Sequence, residues 1–255
     1  MRNKVSTALL AAVFILVPAV LFAQEAGGVR MPIPRITFDI REAANPKEVA
    51  LSLQMLFLLT ILTLAPAIAM MMTSFTRVVI VLDFVKRALS LQQMPPTQVI
   101  VGLSIFLTFF IMAPTFTEIN EKALQPYLQG KISNEKFYEQ AMEPLRKFMF
   151  KQTRKKDIAL FIELAKLERP KSEKDVPTYC LVPAFMISEL KRAFEIGVYI
   201  FIPFIVIDML VASVLMAMGM IMLPPVMISL PFKLVLFILV DGWNLLIHEL
   251  VKSFG

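Results

Sequence analysis

Residues 196 to 248 hold two long apolar runs joined by Met218-Gly219-Met220-Ile221-Met222-Leu223-Pro224-Pro225, and that pairing leaves few folds open. The first arm, Gly197 to Leu223, carries one charged residue, Asp208; the second, Val226 to Ile247, carries Lys233 and Asp241. As a helix rising about 1.5 Å per residue, either arm can cross a hydrocarbon core of about 30 Å. Pro224-Pro225 is expected to end the first helix, because proline brings no N–H and pushes the residue before it out of the α region. With Gly219 close by, these prolines make a hinge, and the segment reads as a helical hairpin with a Met-rich tip.

A charge inside an apolar span costs roughly 2.5 to 3.5 kcal/mol on insertion scales, so Asp208, Lys233 and Asp241 mark either structural pairing or a transport path. Counted from Pro224-Pro225, Asp208 lies sixteen residues back and Asp241 sixteen forward, which sets them level in an antiparallel hairpin. Lys233, eight residues forward, then sits roughly 12 Å nearer the tip. On that count a lysine does not reach Asp208 in its own chain, and the pair is expected between neighbouring, staggered copies. Met218, Met220 and Met222 are either lipid-facing filler or a flexible, polarisable cluster able to reseal around irregular shapes.

The N-terminus, 1–23, has Arg2 and Lys4 before an apolar stretch from Ala8 to Phe22, the pattern of a signal peptide cleaved after Ala23, with an uncleaved anchor as the alternative. Residues 24–45 are poor in large periodic apolar faces and read as a poorly structured lead-in. Asn45-Pro46 is a helix-start signal. From there, 46–117 contains two more apolar runs, Leu51 to Met72 and Val99 to Thr117, around an amphipathic stretch and Met94-Pro95-Pro96. This forms an N-terminal helical hairpin.

Residues 118–192 change character, with charges of both signs at helical spacing and breaks at Pro126, Pro144, Pro170, Pro177 and Pro183. They read as a small helical domain, and 193–255 as the C-terminal hairpin. The fold class is therefore all-α and membrane-associated, with two long helical hairpins flanking a small helical domain. A cleaved signal makes that domain periplasmic and puts the segment with Arg77, Lys86 and Arg87 in the cytoplasm, as the positive-inside preference asks of a short loop. The C-terminus, with His248 and Lys252, falls outside.

The net charge of +6 is spread over polar segments, with no basic helix or aromatic platform, which argues against nucleic-acid binding. With one cysteine, Cys180, no intrachain disulfide can form. No metal-ligand, phosphate-loop or nucleophile motif is present, so no enzyme, cofactor or metal site is expected.

Several blocks resemble the FliP family of flagellar biosynthesis proteins. They include Pro183-Ala184-Phe185, Ser188-Glu189-Leu190-Lys191, Ile207-Asp208-Met209, Met218-Gly219-Met220, Leu223-Pro224-Pro225 and Val240-Asp241-Gly242-Trp243. Ser74-Phe75-Thr76-Arg77, Gln92-Gln93 and Pro95-Pro96 belong to the same pattern. The family often carries three consecutive methionines where this chain has Met220-Ile221-Met222.

The resemblance implies a core component of the flagellar type III protein export gate, in the bacterial inner membrane at the flagellar basal body. It implies a homo-oligomer, a pentamer, joined to two smaller gate proteins and other export-apparatus membrane proteins, in contact with lipid, through which unfolded flagellar subunits cross. Met218, Met220, Ile221 and Met222 would then ring an apolar constriction, while Asp208 and Lys233 fix subunits together. The alternative is a secondary transporter or ion or proton channel using Asp208 and Asp241.

Overall fold

The structure, a computed structural model, describes residues 46–91, 94–220 and 222–255, with side chains from Ser52 onward. The expected signal peptide with its cleavage at Ala23, the lead-in 24–45, Gln92-Gln93 and Ile221 lie outside the described residues. The chain divides into a unit ending at Leu53, of which the described part is the start of one helix, and a unit from Gln54 to Gly255. Every regular element among the described residues is a helix, and they contain no strand.

Helix α1 spans Pro46–Met71, α2 Phe75–Ala88 and α3 Thr97–Ile119. The last runs on through a π-type turn at Asn120–Leu124 and a short turn at Gln125–Leu128. Then come α4 at Asn134–Gln152, α5 at Lys155–Leu164, α6 at Thr178–Ala217, α7 at Pro225–Leu239 and α8 at Gly242–Lys252. Starts follow local chemistry. Pro46 and Pro225 occupy first helical positions, where the missing N–H leaves no bond unmade. Ser133 caps α4 by accepting from the Lys136 N–H at 3.4 Å.

The second unit is organised along α2 and α6. Helix α2 buries Arg77, Val78, Val81, Leu82, Val85 and Ala88, one face of a 3.6-residue period. Its neighbours on α6 advance in the same order, from Glu189 beside Arg77 to Phe194 and Phe201 against Phe84, so the two helices run parallel. Close approach depends on Gly197, where an added Cβ would come within 2.6 Å of the Phe84 ring.

Three apolar clusters line this axis. Met149, Ile162, Leu181 and Phe185 join α4 and α5 to the start of α6. Val78, Leu82, Ala193, Leu250 and Phe254 form the middle. Val85, Leu89, Phe204 and Phe237 close the far end.

Pro170 and Pro177 lie between helices as expected, whereas Pro126, Pro144 and Pro183 do not break the chain. Pro144 lies inside α4, and Pro183 and Pro203 lie inside α6. Each removes one ladder hydrogen bond, at a cost of about 3 kcal/mol. Around Pro183 the fully buried Leu181, Ala184 and Phe185 offset that loss by packing. The boundary drawn between residues 192 and 193 therefore falls within one continuous 40-residue helix.

Outside this axis, apolar side chains face outward in numbers no water-soluble surface carries. Leu53 to Met71 of α1 bury none of their span, and Phe106, Ile238 and Leu239 are each more than 70 % exposed. Among the described residues, three helices are long and apolar enough to cross a membrane: α1, α3 with its extension, and α6. A fourth is possible if α7 and α8, bent by 66°, count as one span.

Replacing Gly197 by Val is expected to destabilise the protein by about 1–3 kcal/mol through overpacking against Phe84. The check is thermal unfolding of the full chain in detergent. Adding Phe84→Ala should return part of the loss, a non-additivity that a defect elsewhere would not give.

Candidate functional site

Three features stand out: the loop 218–224, the charged cluster beneath it, and a second, fully buried cluster nearer the start of α6.

Helix α6 ends by its own backbone and not at the proline pair. Gly219 adopts φ 76°, its N–H reaches the Met216 carbonyl at 3.0 Å, and the Met220 N–H reaches the Leu215 carbonyl at 2.9 Å. These are the paired bonds of a glycine-terminated helix. Pro224 and Pro225 instead open α7, as the cap and the first helical residue. Between the two ends the loop presents Met218 at 65 % and Met222 at 97 % exposure, while Met220 is half-buried.

This moves the turn, and with it the charge register. Measured from the helix ends, Asp208 stands nine residues before Ala217 and Lys233 eight after Pro225, so they are level and Asp241 is not. Lys233 Nζ donates to Asp208 Oδ2 at 2.7 Å within one chain, where a neighbouring copy had been expected to supply the partner. The miscount came from placing the turn at Pro224-Pro225 rather than across 218–224. Lys233 is 1 % exposed, and its other contacts are Ser90 Oγ at 2.8 Å and the Ala88 carbonyl at 3.4 Å. The end of α2 thus supplies acceptors that leave the buried ammonium fully engaged. Ser229 Oγ donates to Asp208 Oδ1. Asp241 is exposed at the bend between α7 and α8 with φ 50°, a left-handed position that aspartate tolerates.

Arg77 centres the second cluster. It is fully buried, as is Glu189, and Arg77 Nε donates to Glu189 Oε2 at 2.9 Å while Nη2 donates to Oε1, the bidentate fork. Nη2 also reaches Gln152 Oε1 at 3.0 Å, and Nη1 reaches the Ser253 carbonyl at 2.9 Å and its Oγ at 3.0 Å. The Phe254 ring lies 3.8 Å from the guanidinium carbon. Gln152 Nε2 in turn donates to the Phe254 carbonyl at 3.0 Å. Burial lowers the Arg77 pKa, and Glu189 opposes that shift.

These contacts overturn the expected two-sided topology. Arg77, read as cytoplasmic, bonds directly to Gln152, Glu189 and Ser253, read as lying outside. No membrane fits between groups at hydrogen-bond distance, so α2 is not a loop facing the other compartment. Its amphipathic face is satisfied by α6 and not by water.

A smaller polar junction pins α5 to α6. The Arg154 N–H donates to Ser188 Oγ at 3.1 Å, Ser188 Oγ donates to Asp157 Oδ2, and Arg154 Nε reaches the same carboxylate at 2.7 Å. Burial pushes the Asp157 pKa up, but the bonds from Ser188 and Arg154 outweigh it and hold the carboxyl below its ordinary value of 3.8.

The model described as the FliP family matches residues 58–250, which take in every one of these side chains except Ser253 and Phe254. The chain belongs to the FliP family. It is 57 % identical over 216 residues to the flagellar biosynthetic protein FliP of Bacillus subtilis, covering 85 % of this chain and 98 % of that protein. It is 54 % identical over 249 residues to the FliP of Treponema pallidum, with 92 % of each chain covered. Against the FliP of Pectobacterium carotovorum it is 49 % identical over 234 residues, 92 % of this chain and 87 % of that one. In this FliP-family chain the Arg77 cluster was not singled out from sequence, although a signal existed. Arg77 is four residues from Val81 and eight from Val85 on the apolar stripe, and Glu189 is four from both Phe185 and Ala193.

Changing Arg77 or Glu189 alone to Ala should cost about 3–5 kcal/mol, because each leaves a buried charge unpaired. The pair Arg77→Met with Glu189→Leu should be milder than either single change in a thermal unfolding series. For Asp157 the depressed pKa means a contribution present above pH 3.8 and lost as pH falls through the folded value. Asp157→Asn should therefore flatten the acid limb of stability below about pH 4.

Proposed function

We propose that this protein is a core component of the flagellar type III protein export gate, forming part of the conduit by which unfolded flagellar subunits cross the bacterial inner membrane. The observation that carries the reading is the 57 % identity to a flagellar biosynthetic protein over 98 % of that protein's length. The exposed apolar helices support a place within or against a bilayer.

In this reading several copies, a pentamer, assemble with two smaller gate proteins and the other membrane proteins of the export apparatus at the flagellar basal body. The exposed apolar faces of α1, α3 and α6 are what such neighbours and lipid would cover. The helical region 118–192 stands on the periplasmic side, and the loop 218–224 lies at the opposite end of α6 from it.

Met218, Met220, Ile221 and Met222 form the seal. Apolar side chains crowded round an axis block ions by the cost of stripping their water. Thioethers are flexible enough to fold aside for a passing chain of any sequence and to close again. Gly219 sets where the loop leaves α6, and Pro224-Pro225 sets where it enters α7. Lys233, held by Asp208 and the end of α2, keeps the base of the loop from spreading.

Loss of the protein in its native host should stop secretion of flagellar subunits into the medium, and the full chain should restore it. Secretion that continues in its absence would overturn the assignment. With the assembled complex intact, changing Met218, Met220 and Met222 together to Ala should produce an ion leak absent from the native complex. A tight triple variant would place the barrier elsewhere.

A further inference from the structure

A cavity of about 1180 Å³ opens between α4, α5 and the segment 167–176. Its floor is apolar, with Ile162 and Val176 each 4 % exposed beside Ile158 and Leu167. Its rim is charged. Lys151, Lys155, Arg169 and Lys171 stand around it, all exposed, against the carboxylates of Glu163 and Glu173.

None of the four cations takes part in an ion pair among the described residues. With four cations against two carboxylates, the rim is net positive around a hollow whose floor holds Ile158, Ile162 and Val176.

The walls are held in place. Arg146 donates to the carbonyls of Glu173 at 3.1 Å and Val176 at 2.7 Å and to Thr178 Oγ at 2.6 Å, fastening the segment 173–178 to α4. Lys166, with φ 54°, turns the chain sharply at the end of α5. A pre-formed hollow spares a partner part of the ordering cost of binding.

We propose that this cavity docks an acidic segment of a partner protein, one whose apolar side chains enter the hollow while Asp or Glu residues on either side meet the rim. Concavity distinguishes this occupant from an anionic bilayer. A planar membrane surface meets basic residues on a convex face, whereas here the cations encircle a recess with an apolar floor. The chain's own lead-in does not have the required charge, because residues 24–45 carry Glu25, Asp39 and Glu42 against Arg30, Arg35 and Arg41. The partner is therefore a different segment, recognised by negative charge at the rim and by apolar burial at the centre.

The test uses the full chain in neutral phosphatidylcholine nanodiscs. The probes are a fluorescent peptide alternating Glu with Leu, its counterparts with Lys for Glu and with Ser for Leu, and vesicles containing phosphatidylglycerol. The Glu-Leu peptide is expected to bind, the other two peptides much more weakly. Lys155→Gln, Arg169→Gln and Lys171→Gln combined should raise its Kd by about tenfold. Because the three positions are exposed, an unchanged unfolding temperature would show that the variant is folded.

Leu167→Ser with the rim intact should weaken the same peptide independently of salt. Equal binding of all three peptides would overturn the proposal, as would a rim variant that binds like the native protein. Rim-dependent capture of the anionic vesicles without binding of the Glu-Leu peptide would also overturn it, in favour of a membrane surface.

Discussion

One guanidinium, taken wholly out of water, conditions most of what surrounds it. Arg77 is tolerable in the interior only because Glu189 neutralises it with two hydrogen bonds and because Gln152 and Ser253 occupy the remaining donors. Those partners lie on α6, on α4 and just beyond α8, so satisfying a single charge brings together segments more than a hundred residues apart in sequence. A well-packed apolar trio in its place could be as stable, but would accept small shifts of register that a bidentate fork does not. The cluster reads best as the device that fixes α2 against α6.

At the other end of α2 the same logic recurs with lysine. Lys233 comes from α7 and is satisfied by Asp208 on α6 and by Ser90 and the Ala88 carbonyl at the end of α2. Helix α2 is thus tied at both ends, and the apolar contacts of Val78, Val81, Leu82 and Val85 fill the interval. The two clusters use opposite chemistry. An arginine fork sets direction, whereas an ammonium on a flexible stem gathers whatever acceptors are within reach.

Much of this was legible in the sequence, because long apolar runs and proline placement are local signals. The all-helical character, the apolar spans and the helix start at Pro46 came from such patterns. What failed were statements needing knowledge of which surfaces meet. The prolines at 144 and 183 looked like breaks because propensity counts a lost hydrogen bond but not the packing that offsets it.

The Asp208–Lys233 register failed over a few residues, since proline was given the role that Gly219 performs. Arg77 was read by its charge as a marker of compartment, while its position on the apolar stripe, the better guide, passed unused. The family resemblance was legible because it rests on residue identity over long blocks and needs no geometry.

Helix α6 is continuous over 40 residues, roughly 60 Å at 1.5 Å per residue, about twice the thickness of a hydrocarbon core. Its first turns are packed among α4 and α5, and its last turn carries the loop 218–224. A rod of this kind transmits displacement: a tilt imposed at Thr178 reappears at Met218 as a sideways sweep magnified by its length. The one place along its exposed half where the backbone ladder is interrupted is Pro203, beside the apolar cluster of Phe204 and Phe237. A displacement at one end would therefore reach the other through Pro203, since Pro183 is held among the packed first turns.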